Sequence, residues 1–229
     1  MKIDLSCENK GFLNLIENKK LEMFLDANFF IPPDRSAIGV KAFSFESFKD
    51  IWLDAIFKEF DGLHIHESVA DELVADNIKD YVRMQEQHLK IKKCLDSELA
   101  DDERMLMEDY KYRLSKHSKY DPVLDCTKDR GEILTLSYMA VKQYTYLGAN
   151  DFLPIRLIKE ANALDTGLEA MEVIQMYEII FYLYKSGYDK DGLRKLYKYQ
   201  YYLTKKDKND NPDWGNFIKG MENLYGDIN

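Results

Sequence analysis

The chain has 229 residues, 41 acidic against 32 basic, a net charge of −9, and 45% hydrophobic with 13% aromatic residues. At ~100–200 residues per domain, this length fits one enlarged domain or one domain with an extension, and the apolar content excludes a disordered chain. The negative balance argues against a protein that coats polyanions, which needs a broad basic footprint. Cys7, Cys94 and Cys126 are odd in number and widely spaced, with no CxxC pair. They read as reduced thiols of a cytoplasmic protein, neither a disulfide frame nor a zinc site. The first twenty residues are studded with charge, which predicts no secretory signal. The longest clean apolar run, residues 179–184, is far short of a membrane span.

Residues 21–25 are a short apolar run that ends at Asp26, with turn chemistry following at Pro32-Pro33-Asp34, and predict a buried strand. Phe45, Phe48, Ile51, Trp52, Ala55, Ile56 and Phe60 then recur at helical spacing, with Gly62 as a stop. Residues 63–66 are the second strand candidate, and Val69 and Leu73 begin the next helix. From about 78 to 120 the chain is dense in charge around an apolar stripe, which predicts a helical arm inserted into the α/β pattern. Asp129 and Glu132 open a helix as a capping pair, and residues 144–147 form a strand stopped by Gly148. Beyond residue 160 the pattern is helical, with helices over about 167–186 (capped by Thr166 and Glu169), 191–204 and 213–225. Strands alternating with helices and then helices alone predict an α/β domain over 1–160 and a helical C-terminal extension over 161–229.

Four acids stand out by position. Asp26 ends the first strand, Glu72 lies in the helix after the second, Glu132 opens the helix before the last strand, and Asp151 follows that strand. In an open parallel sheet, ligands bind beyond the carboxyl ends of the strands. Four carboxylates at that edge call for a hard divalent cation, Mg²⁺ or Mn²⁺. Such an ion activates water and steadies a leaving phosphate oxygen. The competing bland readings are a plain turn at 26–28, a helix cap at 129–132, a solvated charge at Glu72 and a loop cap at Asp151.

The segments Phe-Leu-Asp26-Ala-Asn28, His66-Glu-Ser-Val-Ala-Asp-Glu72, Asp129-Arg-Gly-Glu132 and Gly148-Ala-Asn150-Asp151, in that order, resemble the four motifs of PIN-domain nucleases. The resemblance covers about residues 21–160, interrupted by the arm. It implies a three-layer PIN-like fold with a central parallel sheet, Mg²⁺ or Mn²⁺ dependence and, most often, endoribonuclease activity. It also implies RNA as substrate, with single-stranded DNA as an alternative, and in toxin-type members an antitoxin-like protein partner. Carried over by position, Asp26, Glu72, Glu132 and Asp151 would hold the metal, with Asn28 and Asn150 as polar auxiliaries. Glu67 and Asp71 compete with Glu72, and Asp129 with Glu132, for the inward position. A catalytically silent PIN-like protein that binds a partner, or a second copy of itself, through arm and tail is the alternative.

His64 and His66 would share one face of a strand, where packing is favoured over a transition-metal pair. Between residues 185 and 208 the chain carries a net +5, with six tyrosines in or beside it. Arg194, Lys195 and Lys198 are therefore candidate substrate contacts, since cations tracking phosphates beside stacking aromatics bind single strands. The competing expectation is an amphipathic helix with its tyrosines packed on the core. The aspartate motif at 26–30 departs from haloacid-dehalogenase phosphatases at Asn28. The loop 207–218 lacks the turn glycine and closing glutamate of a calcium loop.

Overall fold

Period-two burial builds the sheet. In strand β1 (Met23–Leu25), Met23 and Leu25 enter one apolar core and Phe24 enters a second on the opposite face. The computed structural model describes all residues except Met1, Ala37, Ile38, Asp227 and Asn229. Its chain runs α1 (Lys10–Glu17), β1, α2 (Phe45–Phe48), a π-helical segment (Lys49–Leu53), α3 (Asp54–Glu59) and β2 (Leu63–His66). It continues with α4 (Glu67–Glu72), α5 (Asp76–Gln87), β3 (Ile91–Cys94), α6 (Asp101–Ser115), α7 (Arg130–Lys142), β4 (Tyr146–Gly148), α8 (Phe152–Lys159) and α9 (Ala161–Leu164). Strand β5 (Glu172–Ile174) and helices α10 (Met176–Lys185), α11 (Lys190–Tyr201), α12 (Lys205–Asp210) and α13 (Trp214–Tyr225) complete it.

The five strands form one parallel sheet in the order β3-β2-β1-β4-β5. On one face, Phe48, Ile56, Tyr81, Phe181, Leu196 and Phe217 gather the helices α2, α3, α5, α10, α11 and α13. On the other, Met107, Leu136, Met139 and Leu157 bring in α6, α7 and α8. This is the expected α/β class, three layers with a central parallel sheet. The chain leaves β1 toward β2 and β3 on one side, then returns to the other side of β1 for β4 and β5. The order therefore reverses between β1 and β4, the place where ligands bind beyond the carboxyl ends of the strands in open parallel sheets.

Two expectations are corrected. The stretch 78–120 is no separate arm. It holds β3, the edge strand beside β2, between α5 and α6. Its Lys92 and Lys93 reach solvent while Ile91 and Cys94 are buried, so the helical stripe read straight through a charged edge strand. The segment after 160 is not purely helical either. Glu172-Val-Ile174 pairs with β4, and the helix expected from 167 begins only at Met176. Thr166 makes a local turn in place of a helix cap: its hydroxyl donates to the Leu157 carbonyl (3.1 Å) and accepts the Leu168 N–H (3.3 Å). A boundary at residue 160 would cut between two paired strands, and α10, α11 and α13 share the core of β1 and β2.

Candidate metal centre

The carboxyl ends of β1 and β4, paired side by side, gather acids from four elements. Asp26 follows β1, is 5% exposed, and is pinned to β4 by its N–H, which donates to the Gly148 carbonyl (2.9 Å). Its side chain accepts a short hydrogen bond from the Asn28 amide. Asp151 follows β4 at the start of α8. Glu72 comes from the last turn of α4 and Glu132 from the first turn of α7. Helices α4 and α7 approach closely because residue 131 is glycine: a Cβ there would lie 2.2 Å from Glu72 Oε1. The bare Gly131 N–H instead donates to that oxygen at 3.0 Å.

Electrostatics ties the four together. Burial pushes the Asp26 carboxyl well above its ordinary range, and repulsion from Glu132, Asp151 and Glu72 adds to it. Burial likewise raises Glu132 to about 7, with Glu72, Asp129 and Asp151 contributing. Glu72 is raised by burial and by Asp151, against the opposing Gly131 N–H and Arg130. Neighbouring negative charge thus recurs among the causes at all three.

The candidates left open by spacing are separated here. Glu67 turns to β3, where it accepts the Asp96 N–H at 2.8 Å. Asp71 lines a surface hollow with Lys79 and Arg83. Asp129 takes a left-handed backbone (φ 58°), and its carboxylate accepts the Lys119 N–H at 2.8 Å. The expected Asp129–Glu132 capping box therefore does not form. Glu72 and Glu132 are the members whose charge, with that of Asp151, acts on Asp26.

The donor set fits a hard divalent cation. Four carboxylates offer oxygen ligands, and their mutual repulsion is what a cation relieves. Asn28 Oδ1, beside Asp26, is a buried acceptor with no hydrogen-bond partner, suited to a metal-bound water; Asn150 Nδ2 is buried without a partner as well. The quartet is more open than a tight metal cage. Among the described residues, the three donors that lie within 4.8 Å of one another belong to His66, Glu67 and Asp96.

That second group is accounted for by hydrogen bonds. His66 Nε2 meets Asp96 Oδ1 at 3.0 Å, and Nδ1 meets Ser68 Oγ at 2.7 Å. Ser68 Oγ in turn donates to the Gly131 carbonyl at 3.4 Å. A continuous path thus runs from the turn after β3 through the end of β2 to the carbonyl of Gly131, the residue whose N–H holds Glu72. His64, the other strand histidine, packs against Phe24 and Tyr144 and lies 3.4 Å from both Cys94 Sγ and Glu22. Burial lowers its pKa to about 4. The packing expectation holds for His64. His66, at the end of β2, packs against Tyr138 and hydrogen-bonds Asp96 and Ser68.

The C-terminal helices touch the site through Asn150, whose Oδ1 accepts from the buried Tyr201 hydroxyl at 3.0 Å. Arg194, Lys195 and Lys198 are exposed on α11, with Lys195 over the Phe43 ring. The tyrosines around them do not form an open stacking face. Tyr197 and Tyr201 are buried, Tyr188 donates to Glu59, and Tyr197 and Tyr202 both donate to the Pro212 carbonyl. The amphipathic-helix expectation accounts for them.

The three cysteines are unbridged. Among the described residues, no helix is long and apolar enough to cross a membrane. Comparison with family models, curated proteins and solved structures finds no match to this chain.

Proposed function

We propose that the chain is a PIN-like, metal-dependent endonuclease that hydrolyses phosphodiester bonds, with RNA as the preferred substrate. The observation that carries this reading is that Asp26, Glu72, Glu132 and Asp151 come from four elements to the carboxyl ends of β1 and β4, where the other three acids all repel the Asp26 charge. Four acids from four elements meeting at the reversal of strand order are poorly explained as separate caps and turns. The order of the four motifs supports the same conclusion.

Asp26, Glu72, Glu132 and Asp151 would hold one or two Mg²⁺ or Mn²⁺ ions. When bound, such an ion supplies an activated water and charge for the leaving oxygen. The chain's own part is positional. The Asp26 N–H bond to Gly148 fixes the first carboxylate to the sheet, and the Gly131 N–H fixes Glu72 to α7. Asn28 orients Asp26 and offers an oxygen to water or phosphate.

The test is cleavage of purified single-stranded RNA and DNA with Mn²⁺, with EDTA, and by Asp26→Asn. We expect cleavage that needs the metal and falls at least 100-fold in the variant, in line with loss of a group acting on the metal-held reaction. Equal cleavage by wild type and Asp26→Asn would mark a contaminant and overturn the reading.

A further inference from the structure

We infer that the groove beside Asp151 is a nucleobase subsite, in which Phe152 stacks on a base next to the phosphate held at the quartet. This rests on the nuclease reading and names how that site grips its substrate.

Phe152 directly follows Asp151 in the chain and is 74% exposed, whereas most aromatic rings of this protein are built into its cores. A lone exposed ring is ordinary on a protein surface. This one is different because it borders a cavity of about 470 Å³ lined also by Lys2, Ile3, Ile155, Lys159 and Gln175. Ile3 and Ile155 give an apolar wall, and Gln175, which follows β5 and caps α10, brings an amide capable of both donating and accepting at a base edge. Lys2 and Lys159 are exposed at its rim and complement a phosphate backbone. The one acid in the lining, Asp4, is occupied locally: its Oδ1 accepts from the Ser6 N–H (3.0 Å) and the Ser6 hydroxyl (2.6 Å).

Position makes these features one site. Ala149 N–H donates to the Ile174 carbonyl (3.1 Å), so the ends of β4 and β5 are held side by side. Asp151 continues from one and Gln175 from the other. A strand whose phosphate lies at Asp151 thus has an aromatic face, an apolar wall and two cations within reach along the same edge. An aromatic ring stacks on any base without needing its identity, whereas the amide reads an edge.

The experiment measures binding of a fluorescein-labelled ten-nucleotide single-stranded RNA, and the equivalent DNA, by anisotropy in Ca²⁺, with strand integrity checked on a gel. Phe152→Ala should weaken binding about 10-fold, since stacking of one base on an aromatic side chain contributes ~1–3 kcal/mol. Phe152→Tyr should bind as wild type does. A scan with one abasic nucleotide at each position should find one position where the wild type loses the same factor and Phe152→Ala loses nothing more. Phe152 is exposed, so its substitution leaves the fold intact, and a matching melting curve checks this. Wild-type binding with Phe152→Ala within twofold, or losses that multiply at every abasic position, would overturn the subsite while leaving the nuclease reading standing. A wild type that neither binds nor cuts either strand would overturn both.

Discussion

At the residue scale, Gly131 decides whether the quartet can exist. It occupies the first turn of α7, where a glycine is otherwise a cost in helix stability. It is required because α4 brings Glu72 into the space of a side chain and takes a hydrogen bond from the backbone instead. Gly131→Ala should therefore displace the Glu72 carboxylate. We expect at least a 10-fold loss of Mn²⁺ affinity by calorimetry, similar in size to the loss of a supporting contact at a metal centre. Unchanged affinity would show that Glu72 is no ligand. The Asp96–His66–Ser68 path supports the same residue through its carbonyl, so the two peptide groups that flank the Gly131 Cα are both held. Neither feature was legible in spacing. A glycine between Arg130 and Glu132 was the available signal, and the near approach that gives it meaning depends on how two helices pack.

At the scale of elements, the three inner strands were readable because each is a short apolar run bounded by turn residues. β3 and β5 were not. Both lie at sheet edges, span three or four residues, and carry charged side chains outward: Lys92 and Lys93 in one, Glu172 in the other. Such edges resist pairing with other chains, and the same charges erase the strand pattern. The acids of the site were legible because each sits at a fixed offset from a strand or helix end. Which of Glu67, Asp71 and Glu72 faces inward was not, since that is set by the turn of α4 against α7. One link between elements is directly testable. The Tyr201 hydroxyl joins α11 to the segment after β4 and to the start of α10, donating to Asn150 Oδ1 and accepting the Tyr177 N–H at 2.9 Å. Tyr201→Phe leaves two buried polar groups unpaired and should destabilise the protein by about 2 kcal/mol in urea denaturation. A change below about 0.5 kcal/mol would show that these groups find other partners.

At the scale of the whole molecule, stability depends on pH in two opposed ways. Glu178, buried at the start of α10, accepts the Gln175 N–H at 2.7 Å and the Tyr225 hydroxyl at 3.4 Å. Burial raises it to about 7, above its unfolded value of 4.5. Its contribution is therefore complete below about 4.5 and is lost as pH rises through about 7. His64 has the reverse sign: with a folded value of about 4 against 6.5 unfolded, its contribution is present above 6.5 and lost as pH falls through about 4. Glu178→Gln cannot ionise. Relative to wild type it should gain up to about 3 kcal/mol between pH 5 and pH 8, read from paired denaturation curves. Parallel pH profiles would reject the assignment.

The strand order has a consequence for the life of the chain. β1 pairs with β4, whose partner residues lie about 120 positions further along, and the sheet closes only when β5 arrives. Contacts of such long range form late in folding. Asp26 leaves the ribosome 125 residues before Asp151. A nascent or truncated chain therefore holds its four carboxylates apart and, on the proposed reading, is harmless to the message from which it is being translated.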